Sequence, residues 1–171
     1  MYLSSVTQAI ATFIIALLLV ILVSSLVEYV VHRLMHARIV LGQKHLEHHK
    51  EGTGQGWRGE FLDYFLPSIP FIWLGFLYSV AAGMGWVLGV FIYACIAAYA
   101  HQAQHDNPDL VFWLKKPVHH LHHKGKMWHH NFGITFDFWD KVFGTYQDID
   151  WEPEKACKDY RLADYFEIRW Y

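Results

Sequence analysis

Residues 9–36 read AIATFIIALLLVILVSSLVEYVVHRLMH. The first part, 9–27, is a run of 19 without charge. As a helix rising 1.5 Å per residue it extends about 28 Å, close to the roughly 30 Å hydrocarbon core of a bilayer. A cleaved leader would carry a basic segment before a shorter apolar core. Residues 1–8 contain no Lys or Arg, and the apolar run passes without a break into Glu28, His32 and His36. The stretch is expected to be a retained transmembrane helix, near 8–31, that delivers histidines to one membrane face.

A second apolar region lies between Asp63 and Asp106, where 42 residues include no Asp, Glu, Lys or Arg. As one helix it would be about 63 Å long, twice what a bilayer needs. Gly83-Met84-Gly85 near its centre is turn chemistry, so the region is predicted to form helices near 64–82 and 86–104, with Pro67 and Pro70 bending or delaying the first. All fourteen Lys and Arg fall in 33–58 or 115–169. Three crossings therefore place every basic residue on one side, which the positive-inside rule makes cytoplasmic. Tyr64, Trp73, Trp86 and Tyr99 are candidate interface anchors.

Composition agrees with a membrane protein: 54% of residues are apolar and 18% charged, against about a quarter charged in soluble domains. A net charge of −2 offers no basic excess for nucleic acid. Cys95 and Cys157 stand far apart, outside any CxxC motif, and read as plain thiols. The expected fold class is all-α: a multi-pass membrane protein of about three transmembrane helices plus a cytoplasmic helical cap.

Histidine departs furthest from chance. There are thirteen, and none lies in 1–31, 50–100 or 131–171. Ten fall into four groups: His32 and His36 (HRLMH), His45, His48 and His49 (HLEHH), His101 and His105 (HQAQH), and His119, His122 and His123 (HHLHH). Spacings of three and four residues put imidazoles on one helix face, so each group can aim at one point. All four groups arrive at the same membrane face. Ten imidazoles are too many for one ion, and two ions with about five nitrogens each account for the number. Imidazole suits Zn, Cu, Fe and Ni alike. Structural zinc sites often include cysteine, and no cysteine is near. Two histidine-rich ions beside lipid point to oxygen chemistry and hence to iron, with zinc a redox-inert stand-in in purified protein. A transporter would place ligands at mid-bilayer along a path, and 10–27 and 64–100 hold no histidine or charge.

In this order the histidine boxes, followed by HHNFGITFDFWDKVFGTY, resemble the fatty acid hydroxylase/sterol desaturase superfamily over roughly 28–146. The closing stretch Asn131–Thr145 and the two HxxHH boxes are the most specific parts. The resemblance implies a membrane-bound non-haem di-iron enzyme that uses O₂ and two electrons to hydroxylate or desaturate unactivated C–H positions of fatty acyl chains, sterols or related lipids. Small carotenoid hydroxylases are similar in layout but generally have HxxxxH as first and third boxes, where this chain has HxxxH. The hydroxylase/sterol desaturase branch is therefore favoured. Spacing alone does not separate hydroxylase from desaturase, because that outcome depends on ångström-scale placement.

On this reading the chain is one domain. Its metal-binding parts are 32–60 and 101–146, and a tail, 147–171, covers them. No HPGG haem motif, flavin motif or ferredoxin motif is present. Electrons are expected from a separate donor, such as ferredoxin or cytochrome b5 with its reductase. The membrane is expected to be a bacterial inner membrane or the endoplasmic reticulum. Further candidates surround the ten ligands. Glu28, one turn before His32, is placed to accept a hydrogen bond from a ligating imidazole. His120, His129 and His130 are left over, with His130 favoured as an eleventh ligand. Asn131 either orients a water or makes a turn, and Asp137 and Asp140 read as caps or structural partners.

Overall fold

A computed structural model describes residues 4–153 and 160–171, so Cys157 lies outside the described residues. No strand occurs among them. The helices are α1 (Ser5–His36), α2 (Gly42–Glu51), α3 (Trp57–Phe65), α4 (Val80–Asp106), α5 (Val118–Lys124) and α6 (Phe138–Val142). Tight 3₁₀ turns cover Leu66–Phe71 and Leu74–Leu77. Three segments are long and apolar enough to cross a membrane: Ser5–His36, Trp57–Leu77 and Val80–Asp106.

The hairpin differs from its predicted form. The reversal falls at Tyr78–Ser79, and α4 runs unbroken through Gly83-Met84-Gly85. Ser79 is extended and its Oγ accepts the Ala82 N–H at 3.1 Å, capping α4 four residues before the expected turn. The preceding segment is not a helix over 64–82. It is helical from Trp57 and leaves α geometry after Phe65, because Pro67 and Pro70 lack the N–H groups that would continue the ladder.

The glycines expected to turn the chain instead bring two helices together. A methyl on Gly85 would overlap the Phe13 carbonyl, and one on Gly89 would overlap Val20. Ala100 and Ala103 extend this buried small-residue face of α4, and Ala94, Ala97 and Ala98 are buried on its other sides. In lipid, where association rests on packing, such a face permits close backbone approach. α1 packs chiefly on α4, and so do α3 and the 3₁₀ segment, from another side. A cleft is left between α1 and α3.

Buried polar side chains tie the last third of the chain to this frame. Glu28 on α1 accepts hydrogen bonds from the backbone N–H groups of Ile134 and Thr135, both at 3.0 Å, from Thr135 Oγ1 at 2.7 Å and from Tyr93 on α4 at 3.0 Å. Gln104 on α4 accepts the His119 N–H at 2.8 Å and donates to the Ile134 carbonyl at 2.8 Å. Asp140 accepts from the Phe132 and Gly133 N–H groups and the Thr145 hydroxyl. At the far end of the chain, the Arg169 and Trp170 carbonyls accept the first N–H groups of α3, from Trp57 and Arg58.

Candidate metal centre

The last turn of α1 carries His32 and His36, α2 carries His45, His48 and His49, the last turns of α4 carry His101 and His105, and α5 carries His119, His122 and His123. These four elements meet at one end of the α1–α4 pair. Nine of the ten histidines fall into two groups whose candidate donor atoms all lie within 4.8 Å of one another. The first is His32, His36, His45, His49 and His122, and the second is His48, His105, His119 and His123. Each group draws on separate stretches of chain, and the HxxHH boxes are divided between them. His49 and His123, one from each group, stack at 4.0 Å, so the groups adjoin.

In the first group, His36 Nε2 lies 2.9 Å from the Nε2 atoms of His45 and His122, 3.2 Å from that of His49 and 3.3 Å from that of His32. One nitrogen carries at most one proton, so hydrogen bonding among the rings cannot satisfy all four approaches. An electron-pair acceptor at their centre can. Metal–imidazole bonds of about 2.0–2.1 Å bring neighbouring nitrogens to about 3 Å, which is the separation seen here. The opposite edges of the rings set the tautomer. His32 Nδ1 donates to the Phe132 carbonyl at 2.6 Å and His122 Nδ1 to the His130 carbonyl at 2.6 Å. A carbonyl only accepts, so the proton sits on Nδ1 and the Nε2 lone pair faces the centre.

The second group follows the same logic. His105 Nδ1 donates to the Gly52 carbonyl at 3.1 Å, and its Nε2 is 3.3 Å from that of His119. His48 Nε2 and both ring nitrogens of His123 are buried with no hydrogen-bond partner among the described residues. A buried nitrogen left without a partner is costly unless a ligand takes it up. Burial foremost, then repulsion among neighbouring imidazoles, holds the pKa of His45 down to about 2 and that of His48 to about 4. Burial also lowers His49 and His122 to about 4. At neutral pH these rings are uncharged and their lone pairs free. The donor set fits metal ions.

His101 stands beside the second group and outside its tight set of nitrogens. Its ring is 4.6 Å from that of His119 and 5.0 Å from that of His105, and its Nδ1 lies 2.5 Å from the Glu60 carboxylate. Glu60 is buried on α3, and nothing in its sequence neighbourhood marks it; only the packing of α3 on α4 brings it to His101.

The remaining candidates take other roles. Glu28 accepts no hydrogen bond from a histidine; its oxygens are taken up by the 134–135 backbone, Thr135 and Tyr93. His120 Nδ1 bonds the Gln104 carbonyl at 3.1 Å and its ring packs on Trp151. His129 and His130 are exposed and in neither group; His130 contributes its backbone carbonyl instead of an eleventh imidazole. Asn131 holds a left-handed conformation (φ 58°) and exchanges hydrogen bonds with the Gln147 backbone at 2.8 and 3.0 Å, so it pins a turn. Asp140 is a structural partner of the 132–133 backbone, and Asp137 pairs with Lys141 at 2.6 Å.

Two adjoining histidine groups at the end of apolar helices narrow the comparison with known proteins, and a sequence model of one family, fatty acid hydroxylase, matches residues 17–145. The chain belongs to the fatty acid hydroxylase family. The match begins within α1 and ends at Thr145, so it takes in all four histidine boxes and the Asn131–Thr145 turn that buttresses them. No curated protein and no solved structure matches the chain. In this family member Glu28 and Gln104 fasten the segments that carry the later boxes to α1 and α4.

Proposed function

We propose that this chain hydroxylates an unactivated C–H position of a membrane lipid, fatty acyl, sterol or similar, using O₂ and two iron ions held by the histidine groups. The observation that carries this reading is a cavity of about 980 Å³ between α1 and α3. Val20, Val27, Leu74, Trp86 and Val90 line its apolar part, and His32, His45, His48, His101 and His119 are also in its wall. From Val20 to His32 the wall of α1 runs about 18 Å at helical rise. An apolar chain lying in the cleft would present one methylene to the histidine end and keep the rest on apolar walls.

When bound, iron supplies O₂ activation and the oxidising equivalent that breaks a strong C–H bond. The protein supplies position and dryness. His32, His36, His45, His49 and His122 would hold one ion, and His48, His105, His119 and His123 the other, with His101 beside it. The cleft lies between two membrane-crossing segments that both pack on α4, which supports entry of a lipid sideways from the bilayer. The positive-inside distribution supports a cytoplasmic site, in a bacterial inner membrane or the endoplasmic reticulum. The same imidazole set also takes zinc, which would leave purified protein inert.

Lipid analysis of cells expressing the chain tests the reading, with His48→Ala and His122→Ala as controls, one from each group. A lipid with one added oxygen that vanishes in both variants is the expected result. A product short two hydrogens would place the chain among desaturases. Unchanged lipids, with O₂ and a competent electron donor present, would overturn the enzyme reading.

A further inference from the structure

Hydroxylation of R–H by O₂ gives R–OH and water and consumes two protons and two electrons. We propose that the surface around Trp128 receives an acidic one-electron carrier protein, and that the Trp128 indole is the path by which its electrons reach the first histidine group. This rests on the hydroxylase reading and names its electron-entry face.

Trp128 is half-buried in the loop after α5. Its ring lies 4.4 Å from that of His36 and 5.7 Å from that of His49, both in the first group. Among the described residues no other Trp or Tyr ring packs on a histidine of either group. One edge of the indole therefore meets the candidate ligands while the loop that carries it is exposed. An electron donor seated there would face the first group across a single indole ring.

Several exposed cations lie close to this point in the chain. Lys126 is exposed, and its carbonyl accepts the Trp128 N–H at 3.0 Å. Lys124 ends α5 next to His123, and Lys50 follows His49 on α2; both are exposed. The Arg33 guanidinium sits 5.6 Å over the Phe132 ring, which is itself 5.4 Å from His36. Among the described residues none of these four cations forms an ion pair, whereas Lys44, Lys116 and Lys141 each pair with a carboxylate. The acidic side chains of α2, Glu47 and Glu51, line the cavity instead. Unpaired cations around a redox-accessible ring are complementary to a partner with an acidic face, and such charges steer encounter and fix orientation.

The test uses the full chain in lipid nanodiscs, loaded with zinc so that binding is read without turnover. The probes are a plant-type [2Fe–2S] ferredoxin and the soluble haem domain of cytochrome b5. At least one is expected to bind, more weakly as salt rises. Lys124→Glu combined with Lys126→Glu should weaken that binding at least about tenfold, while Arg58→Glu, an exposed cation on α3, should not. Failure of both probes to bind, or equal binding by the double variant, would overturn the docking face. In iron-loaded protein, Trp128→Leu with unchanged metal content and unchanged carrier affinity should slow reduction by the carrier; an unaltered rate would overturn the electron path. Product formed with dithionite but with neither carrier would sink the docking proposal and leave the hydroxylase reading standing. No product with either kind of reductant would sink the hydroxylase reading itself.

Discussion

Nδ1 of His101 on α4 lies 2.5 Å from the Glu60 carboxylate on α3, and both side chains are shielded from solvent. A carboxylate in that position fixes which ring nitrogen keeps the proton and turns the other toward the second histidine group. Replacing Glu60 by Gln keeps the shape and removes the charge. The expected outcome is a second ion held about 10–100-fold more weakly, with the first unaffected. Metal content after dialysis against a graded chelator measures this, and equal retention of both ions would show that Glu60 does not orient the site.

His36 is the hub of the first group, with four imidazole nitrogens within 3.3 Å of its own. The second group shares none of its members. His36→Ala is therefore expected to lower the metal content from two ions per chain to one, whereas His105→Ala should remove the other. Inductively coupled plasma mass spectrometry on each variant and on the pair reads the result. Loss of both ions from either single variant would mean that the groups are not independent sites.

Val27 lines the cavity from α1 and is exposed on its other side, so a larger residue there can be accommodated without opening the core. Val27→Trp should fill part of the cleft, leaving metal content and thermal stability as they are while product falls. Full activity with the native lipid would show that substrate does not lie along this wall.

Gly85 faces the Phe13 carbonyl, a backbone group that cannot rotate out of the way. Gly85→Ala should force α1 and α4 apart and lower stability by about 1–3 kcal/mol. Met84→Ala, at an exposed neighbour, should cost little. Thermal unfolding in detergent separates the two, and equal midpoints would remove close helix approach as the role of these glycines.

How far the sequence could be read follows from which interactions are local. The uncharged run of α1, the four histidine boxes and their common face were legible because length, charge and helical spacing are properties of neighbouring residues. The hairpin was misplaced because Gly83 and Gly85 look the same whether they turn a chain or let another helix approach. Ser79, nine residues past Pro70 on one side and four before Gly83 on the other, carries the real cap. Glu28 was singled out by its position one turn from His32, yet a carboxylate bonds whatever donors the fold brings, and those are the Ile134 and Thr135 amides more than a hundred residues away.

The sequence by itself determined that this is a membrane protein with ten imidazoles gathered at one end, since hydrophobic length and the i, i+3, i+4 repeat need no tertiary contact. Only the tertiary structure decided how those imidazoles divide, that the boxes HLEHH and HHLHH each send rings to both groups, and that Glu60 stands behind His101. The division depends on how α1, α2, α4 and α5 cross, and crossing is set by packing between segments far apart in the chain.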